Sequence, residues 1–301
     1  MYTEIATNKW KSVGLLFGFL LFVIGFGWLL SAYYGNPSIL IVAVVLAVGQ
    51  AFASYYFADS IALAVSGAQE APRKEPFITL HREVENLAIT AGLPKPRVYV
   101  IDDPAPNAFA TGRDPQHAAI AVTTGLLERL DKAELEGVIA HELSHVGNYD
   151  IRVMTMVVVL VGVVSILSDF FLRSLWWGGG RRSNRDNDNG QGVLLILGIV
   201  AAILAPLAAT LIQLAVSRKR EFLADATGSL MTRYPEGLAR ALEKIAASPN
   251  QLQHVSSATN HLYIENPLPA EQEASFFVRI FSTHPPVAER IKRLREMGHH
   301  S

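Results

Sequence analysis

The sequence predicts an α+β chain that is also a polytopic membrane protein. It should have about four transmembrane helices and a mainly helical water-soluble part with a small β-sheet. Three observations predict this. Of the 301 residues, 50% are hydrophobic and only 18% are charged, below the roughly 25% of an ordinary soluble domain. Four long apolar segments occur, two before residue 60 and two between residues 153 and 216. After each pair, charges, prolines and amphipathic patterning return, as expected of chain in water. The expected organisation is a two-span hairpin over 1–70, a first soluble part over 71–152, a second hairpin over 153–216 and a second soluble part over 217–301.

Lys9 and Lys11 precede the first apolar run, a pattern shared with signal peptides. However, no charged residue follows until Asp59, which leaves room for two spans. These are predicted over Val13–Tyr33 and Ser38–Phe57, each about the 20 residues that a bilayer core needs. "YGNP" between them is a turn signal. Trp10, Trp28, Tyr33, Tyr34, Tyr55 and Tyr56 cluster near the span ends, where aromatic belts form. Pro76–Leu93 reads as a helix with Leu80, Val84, Leu87 and Ala88 on one face. Pro96–Asp102 reads as a strand, and Asn107–Gly112 as a short strand or edge segment. His117–Leu130 starts as a strand and turns at Thr123–Gly125. Asp131–Asn148 reads as a helix with Asp131 as N-cap and Glu134 completing a capping box.

The third apolar segment, Val153–Leu172, has a charge-free core of only 16 residues. At ~24 Å that core is short of a full hydrocarbon layer unless Asp169 sits at the far interface. The fourth, Val193–Val216, is free of charge and contains Pro206 as a kink point. The Gly/Asn/Asp-rich link Arg173–Gly192 reads as a loop. From Ser217 a helix begins in "SRKREFLADATGSLMTRY", and "EGLARALEKIAAS" is a second, amphipathic one. Asn250–Ser282 is loop-rich, and "THPPVAERIKRLREMG" is a helix with proline at its start.

A net charge of −1 argues against a nucleic-acid binder. The absence of cysteine excludes disulfides, cysteine-based zinc sites and a cysteine nucleophile. For topology, Lys9, Lys11, Arg73, Lys74, Arg152, Arg218, Lys219 and Arg220 all flank the two hairpins on one side. Arg173, Arg181, Arg182 and Arg185 lie in the opposite loop. Eight against four favours soluble parts on the cytoplasmic side, with the four as a counter-signal.

The chemistry is carried by "VIAHELSHVGNYD", Val138–Asp150. Residues i and i+4 share a helix face, so His141 and His145 can address one ion, and Zn²⁺ accepts imidazole nitrogen readily. Glu142 lies beside them, off the ligand axis, where a base acting on water is needed. The alternative is an amphipathic helix with two surface histidines, which the apolar "GVIA" just before the motif opposes. A catalytic zinc takes three protein ligands and an open position. Glu221 in "REFLAD" is the best third candidate, because a membrane hairpin returns to its starting side and brings Asn148 and Arg220 together. Otherwise Glu221 is a surface carboxylate favourable to its helix N-terminus. Asp225 shares its face and can orient a ligand histidine, or else pair with Lys219 or Arg220. His81, His117, His254 and His261 read as solvent-facing, and His299 and His300 as terminal.

"HELSH", "REFLADATG", the upstream "NAFATG" and the downstream "STHPPVAERI" together resemble the HtpX-type membrane zinc metallopeptidases. These are relatives of the type I CAAX prenyl protease and the Oma-type peptidases. The resemblance covers nearly the whole chain. It implies a gluzincin-like catalytic domain, one Zn²⁺ per subunit, and a four-span enzyme of the bacterial inner membrane with a cytoplasmic active site. It carries the zinc ligands onto His141, His145 and Glu221, the base onto Glu142, and a supporting carboxylate onto Asp225. "NAFATG" then fits a sheet edge that takes substrate as an added strand. There, small Ala108 and Ala110 allow close approach, and Asn107 meets a substrate carbonyl. His284 matches an oxyanion stabiliser, and Arg290 a group on substrate or active-site backbone. Expected partners are the lipid bilayer and membrane-protein or peptide substrates, with quality control of damaged membrane proteins as the role. The rivals are a dedicated processing protease, for instance of a lipidated substrate, and a non-catalytic membrane scaffold or chaperone with structural zinc.

Overall fold

The computed structural model of the protein describes residues 2–178, 210–211, 218–250, 252, 259–264 and 285–298. The first apolar run forms two long helices, α1 (Tyr2–Tyr34) and α2 (Pro37–Tyr56). α1 begins at Tyr2 rather than Val13, since no glycine or proline interrupts the polar residues before the span. Hydropathy marks where lipid starts, not where the helix does. The Asn36 side chain caps α2 by accepting from the Ser38 N–H at 3.0 Å, with Pro37 in its first turn. The two helices touch closely: a Cβ at Gly27 would lie 2.1 Å from that of Ala43. Outward they expose Val13, Phe17, Leu21 and Leu29 of α1, and Ile41, Val42 and Val45 of α2. So large an apolar surface, with Trp10, Trp28, Tyr34 and Tyr56 exposed towards its ends, belongs in a bilayer.

Among the described residues two helical stretches are long and apolar enough to cross a membrane, Ile5–Ala32 and Pro37–Tyr56. A short helix not expected from sequence, α3 (Ala58–Val65), leads into the soluble part. The chain then forms β1 (Gln69–Glu70), α4 (Ile78–Ala91), β2 (Arg97–Ile101), β3 (Ala108–Thr111) and β4 (Ala119–Thr123). The expected turn at Thr123–Gly125 is a helix start. The Thr123 hydroxyl accepts from the Leu126 N–H and caps α5 (Thr124–Arg129).

The mixed sheet has the order β1-β2-β4-β3, with β2 and β4 parallel and the outer pairs antiparallel. It divides the interior into two cores. Val98, Val100, Ala108, Ala110, Ile120 and Val122 pack towards α4 and the helices of the soluble part. Ile101, Phe109, Ala119 and Ala121 face α1, α3 and the helix after the HExxH stretch. Successive strand residues point to opposite faces. A sheet covered on both faces therefore reads as the unbroken apolar run "AIAVT".

α6 (Lys132–Gly147) lies under the sheet, and α7 (Asp150–Gly178) follows after an 84° bend. Tyr149 makes the corner at φ 60°, a conformation that side chains other than glycine seldom adopt. α7 covers the third expected span. Its opening turns, Val153–Val161, are buried against α1, α3 and β3. The fourth expected span, Val193–Val216, lies outside the described residues except for Thr210 and Leu211. The described residues continue with α8 (Arg218–Thr232), α9 (Pro235–Ala246) and α10 (Val287–Gly298).

Two histidines expected in solvent are buried. The His81 ring hydrogen-bonds the Ala71 carbonyl and the His261 ring that of Met154, each at 2.9 Å. The first ties α4 to the segment ten residues before it, and the second joins positions 107 apart. His117 is exposed as expected, His254 lies outside the described residues, and so do His299 and His300.

Candidate active site

α6 starts with the expected capping box. The Asp131 carboxylate accepts from the Glu134 N–H at 3.0 Å, and the Glu134 carboxylate accepts from the Asp131 N–H at 2.8 Å. Every residue from Val138 to Val146 is buried, so the polar groups of this turn must find partners inside the protein. His141 and His145, one turn apart, bring their Nε2 atoms within 3.2 Å. Glu221, in the first turn of α8, places one oxygen 3.8 Å from His141 Nε2 and the other 3.5 Å from His145 Nε2. All three donor atoms lie within 4.8 Å of one another. Two ligands bound tetrahedrally at about 2.0–2.1 Å stand about 3.3 Å apart, so the spacing fits a single zinc-sized ion.

α8 gets this close because Gly228 lies two turns after Glu221, at the crossing with α6. A Cβ there would come within 2.9 Å of the His141 backbone nitrogen. The helices meet backbone to backbone.

The far ring nitrogen of each histidine faces a carboxylate. His141 Nδ1 lies 2.9 Å from Asp225, and His145 Nδ1 lies 3.0 Å from Asp150. This fixes which nitrogen is turned towards the site. Asp225 pairs with neither Lys219 nor Arg220. Its partner is Arg290 of α10, which donates from Nε and Nη2 at 2.9 and 2.7 Å. Arg290 is fully buried and also donates to the Ile264 carbonyl at 2.9 Å. The Ile264 N–H in turn donates to the Ala108 carbonyl at 3.0 Å. Arg290 thus bridges His141, through Asp225, and the backbone beside the edge strand.

Asp150 was not singled out from the sequence. Its signal was a lone acidic residue heading an apolar segment with no counter-charge beside it except Arg152, the kind of position that marks functional sites near membranes. Arg152 instead donates to the Arg113 carbonyl, and Asp150 is met by Asn8 and Arg220.

Glu142 is buried on α6, which packs against β3. Thr123 N–H donates to the Asn107 carbonyl, so in this antiparallel pair Ala108 and Ala110 direct their backbone groups away from β4, where the Ala108 carbonyl already accepts from the Ile264 N–H. The Asn107 side-chain oxygen accepts from the Ala108 N–H at 3.0 Å, which pins the start of this edge. His284 lies outside the described residues.

The electrostatics match a divalent cation. Four carboxylates (Glu142, Asp150, Glu221, Asp225) and two guanidinium groups (Arg220, Arg290) are buried around the two imidazoles. Four minus two leaves two formal negative charges. Burial disfavours charge on His145, but the Asp150 hydrogen bond and the charges of Glu221, Asp150 and Glu142 outweigh it and hold the imidazolium up to about 9. Burial likewise opposes the Asp225 carboxylate, yet Arg290 and His141 bring it down to about 2. At Glu142 burial prevails over the two imidazoles and holds the carboxyl above its ordinary range.

The sequence model of Peptidase family M48 matches residues 74–298, three quarters of the chain. The chain belongs to peptidase family M48. It is a metalloprotease of the HtpX type. A "Protease HtpX homolog" of Tropheryma whipplei (strain Twist) is 50% identical over 298 residues, covering 99% of both chains. Another, of Thermoanaerobacter pseudethanolicus, is 46% identical over 93% of this chain and 92% of its own. A solved structure, S. mikatae Ste24p, is 19% identical with a TM-score of 0.48, over 98% of this chain and 67% of that one. The M48 match takes in both parts of the site, from before the HExxH helix to the end of α10.

Proposed function

We propose that the protein is a zinc-dependent endopeptidase of the bacterial inner membrane that removes misfolded or damaged membrane proteins. The observation that carries the reading is the buried His141–His145–Glu221 cluster, with Glu142 buried beside His141 on α6. One ion per subunit is held by those three side chains. When bound it supplies Lewis acidity, polarising the scissile carbonyl and making a water acidic enough to lose its proton near neutral pH.

The chain's own residues do the rest. Glu142 takes the proton of the attacking water and returns it to the leaving amine. A carboxyl raised by burial suits that double duty. Asp225 and Asp150 keep Nδ1 of each histidine engaged, so that Nε2 stays turned inwards. Ala110 and, once the Ile264 N–H withdraws from its carbonyl, Ala108 hold the substrate as an extra strand, and Asn107 meets a substrate carbonyl. His284 stabilises the oxyanion. Arg290 acts on the site's backbone through Ile264 and on His141 through Asp225.

The proposed architecture is a hairpin over 1–70, catalytic parts over 71–152 and 217–301, and a second hairpin over 153–216. It has four spans, and the catalytic parts face the cytoplasm. The placement of α6 directly before α7, and of the sheet against α1, α3 and α7, supports a site at the membrane surface. Reporter domains inserted in the 71–148 region or fused after Ser301 should then both read as cytoplasmic. A periplasmic signal from either rejects this topology.

The activity is tested in liposomes holding the purified full-length protein and a membrane protein in assembled or misassembled form. The misassembled form should be cut faster. A chelator should stop cleavage, and stoichiometric zinc should restore it. Equal cutting of both forms removes the quality-control role, and cutting that survives metal removal removes zinc.

A further inference from the structure

The first membrane helix supplies a polar side chain to the site. Asn8 of α1 is 1% exposed and sits inside the apolar stretch Ile5–Ala32. Its amide N–H groups donate to the Asp150 carboxylate at 2.7 Å and to the Asn148 carbonyl at 2.9 Å. Its oxygen accepts from Arg220 Nη1 at 2.8 Å. Two donors and one acceptor are therefore engaged on three different elements. Asn148 closes α6, which carries His141 and His145. Asp150 opens α7 and holds the His145 ring with its other oxygen at 3.0 Å. Arg220 directly precedes Glu221 in α8 and also lies 3.3 Å from the Asp150 oxygen that Asn8 engages.

The next residue of α1 grips the same corner. The Lys9 ammonium lies 4.7 Å from the centroid of the Tyr149 ring, and Tyr149 is the left-handed residue between α6 and α7. A polar side chain buried this completely is costly unless paired. An asparagine that only fastened α1 to its neighbours would need one partner helix. This one meets the ends of all the elements that carry the metal-binding residues.

We infer that Asn8 is a positioning residue for the metal centre, acting through Asp150 on His145 and through Arg220 on Glu221, so that docking of the first membrane helix sets the geometry of the site. The inference rests on the ligand assignment proposed above.

The test is a Co²⁺ titration of the purified full-length protein in detergent, since the visible spectrum of bound Co²⁺ reports ligand geometry. Asn8→Leu and the milder Asn8→Ala should bind Co²⁺ tenfold to a hundredfold more weakly than the unchanged protein. Their spectra should be shifted, and kcat should fall with KM for a peptide unchanged. Gly27→Leu wedges α1 from α2 at Ala43, away from the site, and should leave Co²⁺ affinity and spectrum unchanged. The inference is overturned if both Asn8 variants bind Co²⁺ with unchanged affinity and spectrum. It is equally overturned if Gly27→Leu weakens binding as much as they do, which makes the effect general loosening. His145→Ala is the control for the ligand assignment. If it binds Co²⁺ like the unchanged protein, the assignment fails, whatever the Asn8 variants do.

Discussion

Glu142→Gln protein is expected to retain zinc while cleaving substrate about 10²–10⁴ times more slowly, the usual worth of a positioned acid–base group. The substitution preserves the shape of the side chain. The three donor atoms of His141, His145 and Glu221 are untouched. What disappears is the group able to take a proton and give it back. One of four buried carboxylates becomes neutral, so the balance against two arginines falls from minus two to minus one. Metal affinity should weaken modestly without loss of stoichiometric binding. Metal content by elemental analysis, alongside cleavage rates, separates the two effects. Activity within tenfold of the unchanged protein removes Glu142 as the base. The variant also discriminates against a purely structural metal. Structural zinc sites are normally closed by four protein ligands, whereas the cluster among the described residues has three.

The histidine pair was legible because helical periodicity alone puts i and i+4 together, and the capping box located the helix that carries it. Glu221 was legible by a longer argument, that a hairpin returns the chain to its starting side. The structure does bring α8 against α6 at Gly228. The sheet edge could be located from small residues and alternation, although its two-sided burial was not foreseen. The carboxylate and amide groups behind His141, His145 and Glu221 were harder. Asp150 and Asn8 meet across 142 positions, and Arg220 and Asn8 across 212, and neither contact leaves a periodic trace. Arg220 shows the difficulty most clearly. In sequence it counts as one of the positive charges that set topology, whereas in the fold it is 7% exposed and committed to Asp150 and Asn8. A rule based on counting charges cannot tell a surface arginine from a buried one. His81 and His261 failed in the same way, since only a tertiary carbonyl acceptor makes their burial tolerable.

Arg290→Met should be the most destabilising of the conservative-sized changes near the site, at about 3–5 kcal/mol, because it strands a buried carboxylate. Arg290 is fully buried and donates twice to Asp225 and once to the Ile264 carbonyl. Methionine fills similar space but donates nothing. Asp225 then keeps only His141 as a polar partner in a site already rich in negative charge. In the unchanged protein the Asp225 carboxyl is depressed from 3.8 to about 2, so its contribution is complete above 3.8 and is lost as pH falls through about 2. In the variant, burial is no longer offset by the guanidinium, and Asp225 should take up its proton at a higher pH. The stability gap should therefore be widest near neutral pH and narrow on acidification. Thermal unfolding of the metal-free full chain in detergent, across pH, reads both the gap and its slope. The double variant Asp225→Leu/Arg290→Met removes both charges and should recover much of the loss, giving a strongly non-additive cycle. A single-variant cost below about 1 kcal/mol, the level of an exposed ion pair, rejects the buried bridge as a structural element. Additive losses in the double variant show instead that Arg290 acts chiefly through Ile264 and the edge strand. The effect on catalysis should then appear in KM, since the binding edge rather than the ligand histidine has lost its support.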